Sequence, residues 1–449
     1  MCIILTGCSK LSDNEKLLRP PELSGEYQSI YDTLQSSISL KTLSLQPPTS
    51  GDYRSSITIY DNHIDNSKYA IAFYKNEIQQ ITDKISLRMG ILNKTNNENW
   101  QCVWDIPCEG ESVDQVMFMK DSNKNNIYMI VGYISEQNVQ NKYCIYNLSA
   151  KNFKTIYTGE YKLMTLCDIN SDGIQELITI GNYDNNDSNS KEQNAGNNIS
   201  NQKKSSKAII NSISDNHVTL WGDTKTNSDV QKYTNISIDE KTFGKPAIFI
   251  DDQMSNILYT TEILTFENNQ LKNITSQNKA EAPYRYFASF SYDIDNDGEI
   301  EIPIVRSFPG YSIYYDDEQP TFQPFITTWN KYKDNKMVKL FSTYIDYVHG
   351  FGFILPDNWK NKVSINQISE NEIEFFVFHD SLQNNDEKLF KIKVDCKKDK
   401  HNIPQDYVVL KSEGALLYLV SFNEKLQASN SELSISLEKL KNNFFIISK

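Results

Sequence analysis

Two acidic turns constrain this chain more than any other feature. Asp168-Ile-Asn-Ser-Asp-Gly-Ile-Gln-Glu176 and Asp293-Ile-Asp-Asn-Asp-Gly-Glu-Ile-Glu301 share one pattern, and each stands between short runs of β-forming residues. Degenerate copies begin at Asp61 and Asp121, and the stretch Ala247–Asn256 reads as a fifth, eroded copy around Asp251 and Asp252. The starting aspartates Asp61, Asp121, Asp168 and Asp293 lie 60, 47 and 125 residues apart, the last gap amounting to about two repeats with an insertion. A period near fifty with a strand on each side of an acidic loop points to a repeat fold of the propeller kind.

The rest of the chain fits that architecture. Ser24 to Ile38 reads as an amphipathic helix, with Tyr27, Ile30, Tyr31, Leu34 and Ile38 on one face and Ser24 as N-cap. Gln46-Pro-Pro-Thr-Ser-Gly51 then breaks the chain. Residues 183–206 hold seven Asn and five Ser in 24 positions, too little apolar surface to offset ordering, and read as a disordered insertion on a blade loop. Trp359 to Val394 reads as strands, and Leu433, Leu437, Leu440 and Phe444 form a helical stripe. The expected fold is mainly β: a β-propeller of about six or seven blades, an N-terminal helix and a small C-terminal α+β extension. The segments expected are 1–8, 9–50 with tether and helix, 51–335 as propeller, and 336–449 as last blade, extension or both.

In a turn of this type, residues 1, 3 and 5 turn their oxygens inward and Gly at position 6 allows the sharp bend, which gathers hard ligands at calcium distances. The trios are Asp168, Asn170, Asp172 before Gly173, and Asp293, Asp295, Asp297 before Gly298. An EF-hand needs Glu at position 12 on an exiting helix; Thr179 and Ile304 stand there, and the acid comes at position 9, Glu176 and Glu301. An acidic nonapeptide between strands resembles the calcium loops of the FG-GAP/VCBS repeats of integrin α-subunit propellers. The resemblance implies side-chain ligands at positions 1, 3, 5 and 9 and a carbonyl at 7, here Ile174 and Glu299, around structural Ca2+. Glu at position 9 departs from the Asp usual in those families. His63 and Tyr69 occupy ligand positions of the first copy, so no metal is assigned there, nor to the copy at Asp121. Acidic turns also close hairpins without an ion; two full matches in repeat phase favour calcium.

The N-terminus places the protein. Leu5-Thr-Gly-Cys8 resembles the lipobox of bacterial lipoproteins, which implies a lipid-modified Cys8 as mature N-terminus and membrane anchoring through two acyl chains. There is no basic n-region, and the apolar stretch is short for a signal peptide, which fits a start codon assigned too far downstream. Lys10 to Glu22 reads as a polar tether. Of seven cysteines, Cys102, Cys108, Cys144, Cys167 and Cys396 remain; an odd number without a C-x-x-C pair excludes a complete disulfide framework and argues against zinc. Cys102 and Cys108 could bridge locally or stay as free thiols. Together with the segments Leu17–Ser24, Ser50–Ser55 and Leu355–Trp359, the chain resembles Gram-positive lipoproteins with an integrin-like propeller, a resemblance that transfers no activity.

A net charge of −13, from 45 basic and 58 acidic residues, argues against nucleic acid as a partner. The five histidines are scattered, and no nucleophile-elbow, P-loop or dinucleotide motif occurs. Tyr311, Tyr314 and Tyr315, after Phe308-Pro-Gly310, form a candidate ligand surface or else ordinary strand packing. The function expected is that of an extracytoplasmic, lipid-anchored module binding an extracellular polymer or protein. The alternative is a glycan-active enzyme using loop carboxylates such as Asp316-Asp317-Glu318.

Overall fold

The computed structural model describes residues 25–38, 43–62, 67–75, 87–95, 99–121, 126–134, 140–149, 153–183, 205–275, 283–286, 288–312, 322–384, 386–397, 403–423 and 432–447. Cys8, the tether, Ser24, His63, Tyr314, Tyr315 and the 316–318 acids lie outside them. The described chain is mainly β and of propeller type, built as six successive sheets of four or five strands, each running largely in chain order. It divides into two compact units, 1–162 with 211–220, and 163–210 with 221–449.

In the first unit, the helix Gly25–Ser37 lies on the first sheet. Ile30 and Leu34 are fully buried, joined by Ala70, Ala72, Tyr74 and Leu92. Burying each of these two helix side chains contributes about 1.5–3 kcal/mol. Gly90 faces the helix, and a side chain there would collide with Leu34. The first and second sheets share a core in which Ile71, Phe73, Met89 and Ile91 meet Val113, Val116, Met129 and Val131.

The second unit repeats this layering. One core joins the strands Glu176–Tyr183 and Ser205–Ser214 to Ala247–Gln253 and Leu258–Glu267 through Ile178, Ile180, Ile210, Ile248, Ile250 and Leu264. A larger aromatic core, including Phe353, Trp359, Phe375, Phe390 and Tyr418, packs the fifth sheet on the sixth.

The acidic turns occupy one structural position. Asp121 follows the first strand of the second sheet and Asp168 that of the third; the loop from Asp293 leads into the first long strand of the fifth, between the bridge partners Tyr292 and Glu301. Asp61 lies at the corresponding hairpin of the first sheet, but inside the strand Ile57–Asn62 and paired with Lys68. The fourth sheet corrects the sequence reading. Asp251 and Asp252 are interior strand residues, both buried, and not a turn. The equivalent turn begins at Asp239, 71 residues after Asp168 and 54 before Asp293, so the long gap is two repeats as expected, the first of them lengthened by the insertion. That insertion joins the strands Glu176–Tyr183 and Ser205–Ser214, and residues 184–204 lie outside the described set.

Two further expectations change. Residue 335 falls in the turn of the hairpin Phe325–Lys333/Lys336–Asp346, so no boundary divides the sheets there; strands of the fifth and sixth sheets continue as far as Ile446. The C-terminal helix spans only Leu437–Asn443, capped by Ser436, whose side chain accepts from the Lys439 amide at 3.2 Å. Leu433 lies before it and Phe444 after it, in a strand that pairs with Phe351–Leu355 and completes the fifth sheet. Both still reach the shared core. Cys102, Cys108, Cys144, Cys167 and Cys396 are free thiols.

Candidate metal centre

The two full-length turns are the same object built twice. Asp168 accepts the amide of Asp172 at 2.9 Å on Oδ1 and that of Gly173 at 2.8 Å on Oδ2. Asp293 accepts Asp297 at 3.0 Å and Gly298 at 2.8 Å on the same two atoms. The third residue, Asn170 or Asp295, accepts the position-5 amide, and the position-5 carboxylate accepts the amide of position 7 at 2.9 Å in both. Ser171 and Asn296 adopt φ of 63° and 61°, and Gly173 and Gly298 φ of 88° and 86°. Left-handed backbone at position 6 is why glycine stands there.

Position 9 also repeats. Glu176 and Glu301 are buried, and one oxygen of each accepts the position-2 amide, from Ile169 at 3.2 Å and Ile294 at 3.1 Å. The other oxygen of Glu301 has no hydrogen-bond donor. Burial, ahead of repulsion from neighbouring aspartates, pushes each glutamate up to about 7.

The surroundings differ. In the second turn, Asp293, Asp295 and Asp297 each bring a carboxylate oxygen within 4.8 Å of the others. Oxygens at that spacing can share one hard cation at 2.3–2.6 Å each. The Lys331 ammonium stands beside this group, 2.6 Å from Asp297, in contact with Glu299 and 3.5 Å from Glu301. Its hydrogen bond holds the Asp297 carboxyl below the usual range, whereas partial burial and Asp297 raise Asp295. Lys241 donates to the Asp297 carbonyl. The first turn has Asn170 in place of the middle aspartate and lies beside a hollow of about 380 Å³ lined in part by Asp168, Glu240 and Lys245. With oxygens at 1, 3 and 5 in register and three carboxylates close together, the residues of the second turn could hold a calcium ion, with Lys331 as its competitor for Asp297 and the second Glu301 oxygen.

The other candidates separate from this centre. Asp121 is closed by its own turn, accepting the Asn126 amide at 3.3 Å and side chain at 2.6 Å. Half-buried Tyr311 donates to the Ile365 carbonyl at 2.7 Å and packs edge-on to Phe322, and burial pushes its hydroxyl up to about 12. Sequence reasoning missed Lys331, Lys241 and Asp239. Asp239 binds its own turn through the amides of Lys241 and Thr242 and also accepts the Ile300 amide of the second loop at 2.8 Å. An Asp followed by a Thr three residues later was the available signal for that turn.

No family model and no curated protein matches the sequence. Solved structures similar to it include a rhamnogalacturonan lyase of Bacillus licheniformis, 8% identical with a TM-score of 0.31, covering 75% of this chain and 74% of that one. Another is Sqt1 of Saccharomyces cerevisiae, 7% identical, TM-score 0.30, covering 85% and 100%. A third is the β-propeller domain of the Trilobed protease from Pyrococcus furiosus, 9% identical, TM-score 0.27, covering 73% and 80%. Likenesses at this level say nothing about activity.

Proposed function

We propose that this chain is a lipid-anchored, extracytoplasmic binding module. In this reading Cys8 carries the anchor, structural calcium pins two FG-GAP/VCBS-like loops, and the sheets present a surface to an extracellular polymer or protein. The observation that carries it is the atom-by-atom repetition of the 168–176 and 293–301 turns. A hairpin needs only a turn; it does not need the same carboxylates held by the same amides in two places. Those amides also tie down both carboxylate oxygens of Asp168 and Asp293, which suits a fixed structural turn better than proton transfer, and so favours binding over a loop-based hydrolase. Calcium affinities of about 10⁻⁴–10⁻³ M are typical of extracellular modules and would keep both sites filled outside the membrane.

The test is retention of the full chain on purified cell-wall and polysaccharide preparations, with calcium and with chelator. Retention that falls when calcium is removed is the expected result. No retention on any preparation overturns the binding role, and retention indifferent to chelator overturns the part assigned to the metal.

A further inference from the structure

We infer that the cleft between the fifth and sixth sheets binds a neutral saccharide of one or two sugar units. The inference rests on the binding reading above and gives it a place. The cleft has a volume of about 580 Å³, inside the range of ~300–1,000 Å³ common to small-ligand sites, and lies wholly within the second unit.

Charge sets the first limit. Asp346, Glu370 and Glu372 line the cleft, and among the described lining residues there is no Lys or Arg. A phosphorylated, sulfated or uronic ligand would meet only like charge.

The state of those acids sets the second limit. Asp346 accepts the amides of Val348 and His349 at 3.0 Å each on Oδ1, and faces His349 Nδ1 at 2.9 Å on Oδ2. Glu372 accepts the Tyr407 hydroxyl. Both carboxylates keep their charge, and their remaining lone pairs can accept from the hydroxyls of a ligand.

Beside these acids stand His349 and Gln323. The contact between Nδ1 and Asp346 holds the His349 ring in a fixed orientation. Neither the Oε1 nor the Nε2 of Gln323 has a partner, and both are shielded from water, so the amide must turn toward the cleft to meet a ligand. An orphaned amide of this kind costs about 1–3 kcal/mol, a cost that a ligand able to bond it would remove. A donor and an acceptor side by side match the adjacent hydroxyls of a sugar ring. Phe322 and Tyr347, the latter 60% exposed, add aromatic surface of the sort that covers a sugar's apolar face at small entropic cost.

Titration calorimetry on the full chain with glucose, galactose, N-acetylglucosamine and a β-linked disaccharide of each tests this, with glucuronic acid as the anionic counterpart. At least one neutral probe should bind and glucuronic acid should not. Gln323→Leu, which keeps the volume and removes the amide, should weaken that binding about tenfold or more while the melting temperature holds or rises. If that variant does not fold, hydrogen exchange of the unaltered protein replaces it: the bound probe must protect residues 322–327 and 344–349. Absence of binding by every neutral probe, equal binding by Gln323→Leu, or protection confined to other segments overturns the inference. A chain retained on cell-wall polymer while the cleft fails these tests leaves the broader binding role standing; loss of both removes both.

Discussion

In the fourth sheet, Asp251, Asp252 and Glu262 are packed away from water, and the chain supplies what they need. Arg285, itself fully buried, reaches Asp251 at 2.7 Å. The Thr261 and Ser291 hydroxyls, the Ser291 amide and the Asn235 side chain fill the remaining positions on Asp251. Glu262 takes the Asn227 amide and the Asn273 side chain. Asp252 meets no donor; burial first, and Glu262 second, raise its carboxyl well above the ordinary range, so it keeps its proton. The turns at 168–176 and 293–301 do the opposite. Their position 1–5 acids sit at or near the surface, held by donors of their own turn and, in the second turn, by Lys331, in places that solvent or an ion can still reach. Buried acid forces the sequence to encode its compensation, and that compensation is permanent. Acid at the surface can leave it to the solvent, and the stability it gives then depends on conditions.

The strongest way to break this contrast is to remove the encoded partner. Arg285→Met leaves Asp251 buried without its cation and should cost about 3–5 kcal/mol in denaturant unfolding. A loss under about 1 kcal/mol would mean that the hydroxyl and amide donors suffice and that the guanidinium is dispensable. Next in size is calcium. At 10 mM, sites with dissociation constants of about 10⁻⁴–10⁻³ M stabilise the fold by about 1.4–2.7 kcal/mol each. Asp168→Ala and Asp293→Ala should each remove one such share and leave the other. Melting curves identical with calcium and with chelator would sink the metal assignment for both turns.

The difference between these regions also explains what could be read from the sequence. The two turns were legible residue by residue, because a nonapeptide that must place oxygens at alternate positions and glycine at the sixth is a local constraint. The strand-rich repeat was legible for the same reason, as was the helix that buries Ile30 and Leu34. The fourth sheet was not. Asp251 and Asp252 looked like a worn turn because their partners, Arg285 and Glu262, lie 34 and 10 residues away, and pairing across strands leaves no local spacing. Asp239, which does hold that position in the repeat, lacks the acids at 3 and 5. Lys331 was missed likewise: it comes from the strand Phe325–Lys333, 34 residues beyond Asp297. The cleft near His349 depends on two sheets meeting, which no single motif encodes.

A smaller effect sharpens the buried side. Because the folded pKa of Asp252 is raised, the unfolded chain loses this proton as pH climbs past about 4 while the folded chain retains it. Stability from this group is therefore full at low pH and declines as pH rises toward the folded pKa, by up to about 1.4 kcal/mol per pH unit. Asp252→Asn fixes the neutral form and can still donate to Glu262. It should match the parent near pH 4 and gain on it steadily toward pH 7, as measured by unfolding across that range. Parallel curves for the two proteins would show that Asp252 is ionised in the fold and that its charge is met by a group not yet identified.

The smallest expected effect separates the two turns from each other. Lys331 places one positive charge against Asp297, Glu299 and Glu301, where an arriving calcium ion must compete with it. Lys331→Met should therefore raise calcium affinity at the second turn by about three- to fivefold, under about 1 kcal/mol, since partly exposed ion pairs are individually weak. The first turn has no such lysine among its described contacts and should not respond. Calorimetry in an Asp168→Ala background isolates the second turn, and an Asp293→Ala background isolates the first. If Lys331→Met weakens calcium binding instead, the ammonium is acting as a scaffold that gathers the carboxylates for the ion. The second turn would then resemble the buried acids of the fourth sheet, with part of its compensation written into the chain.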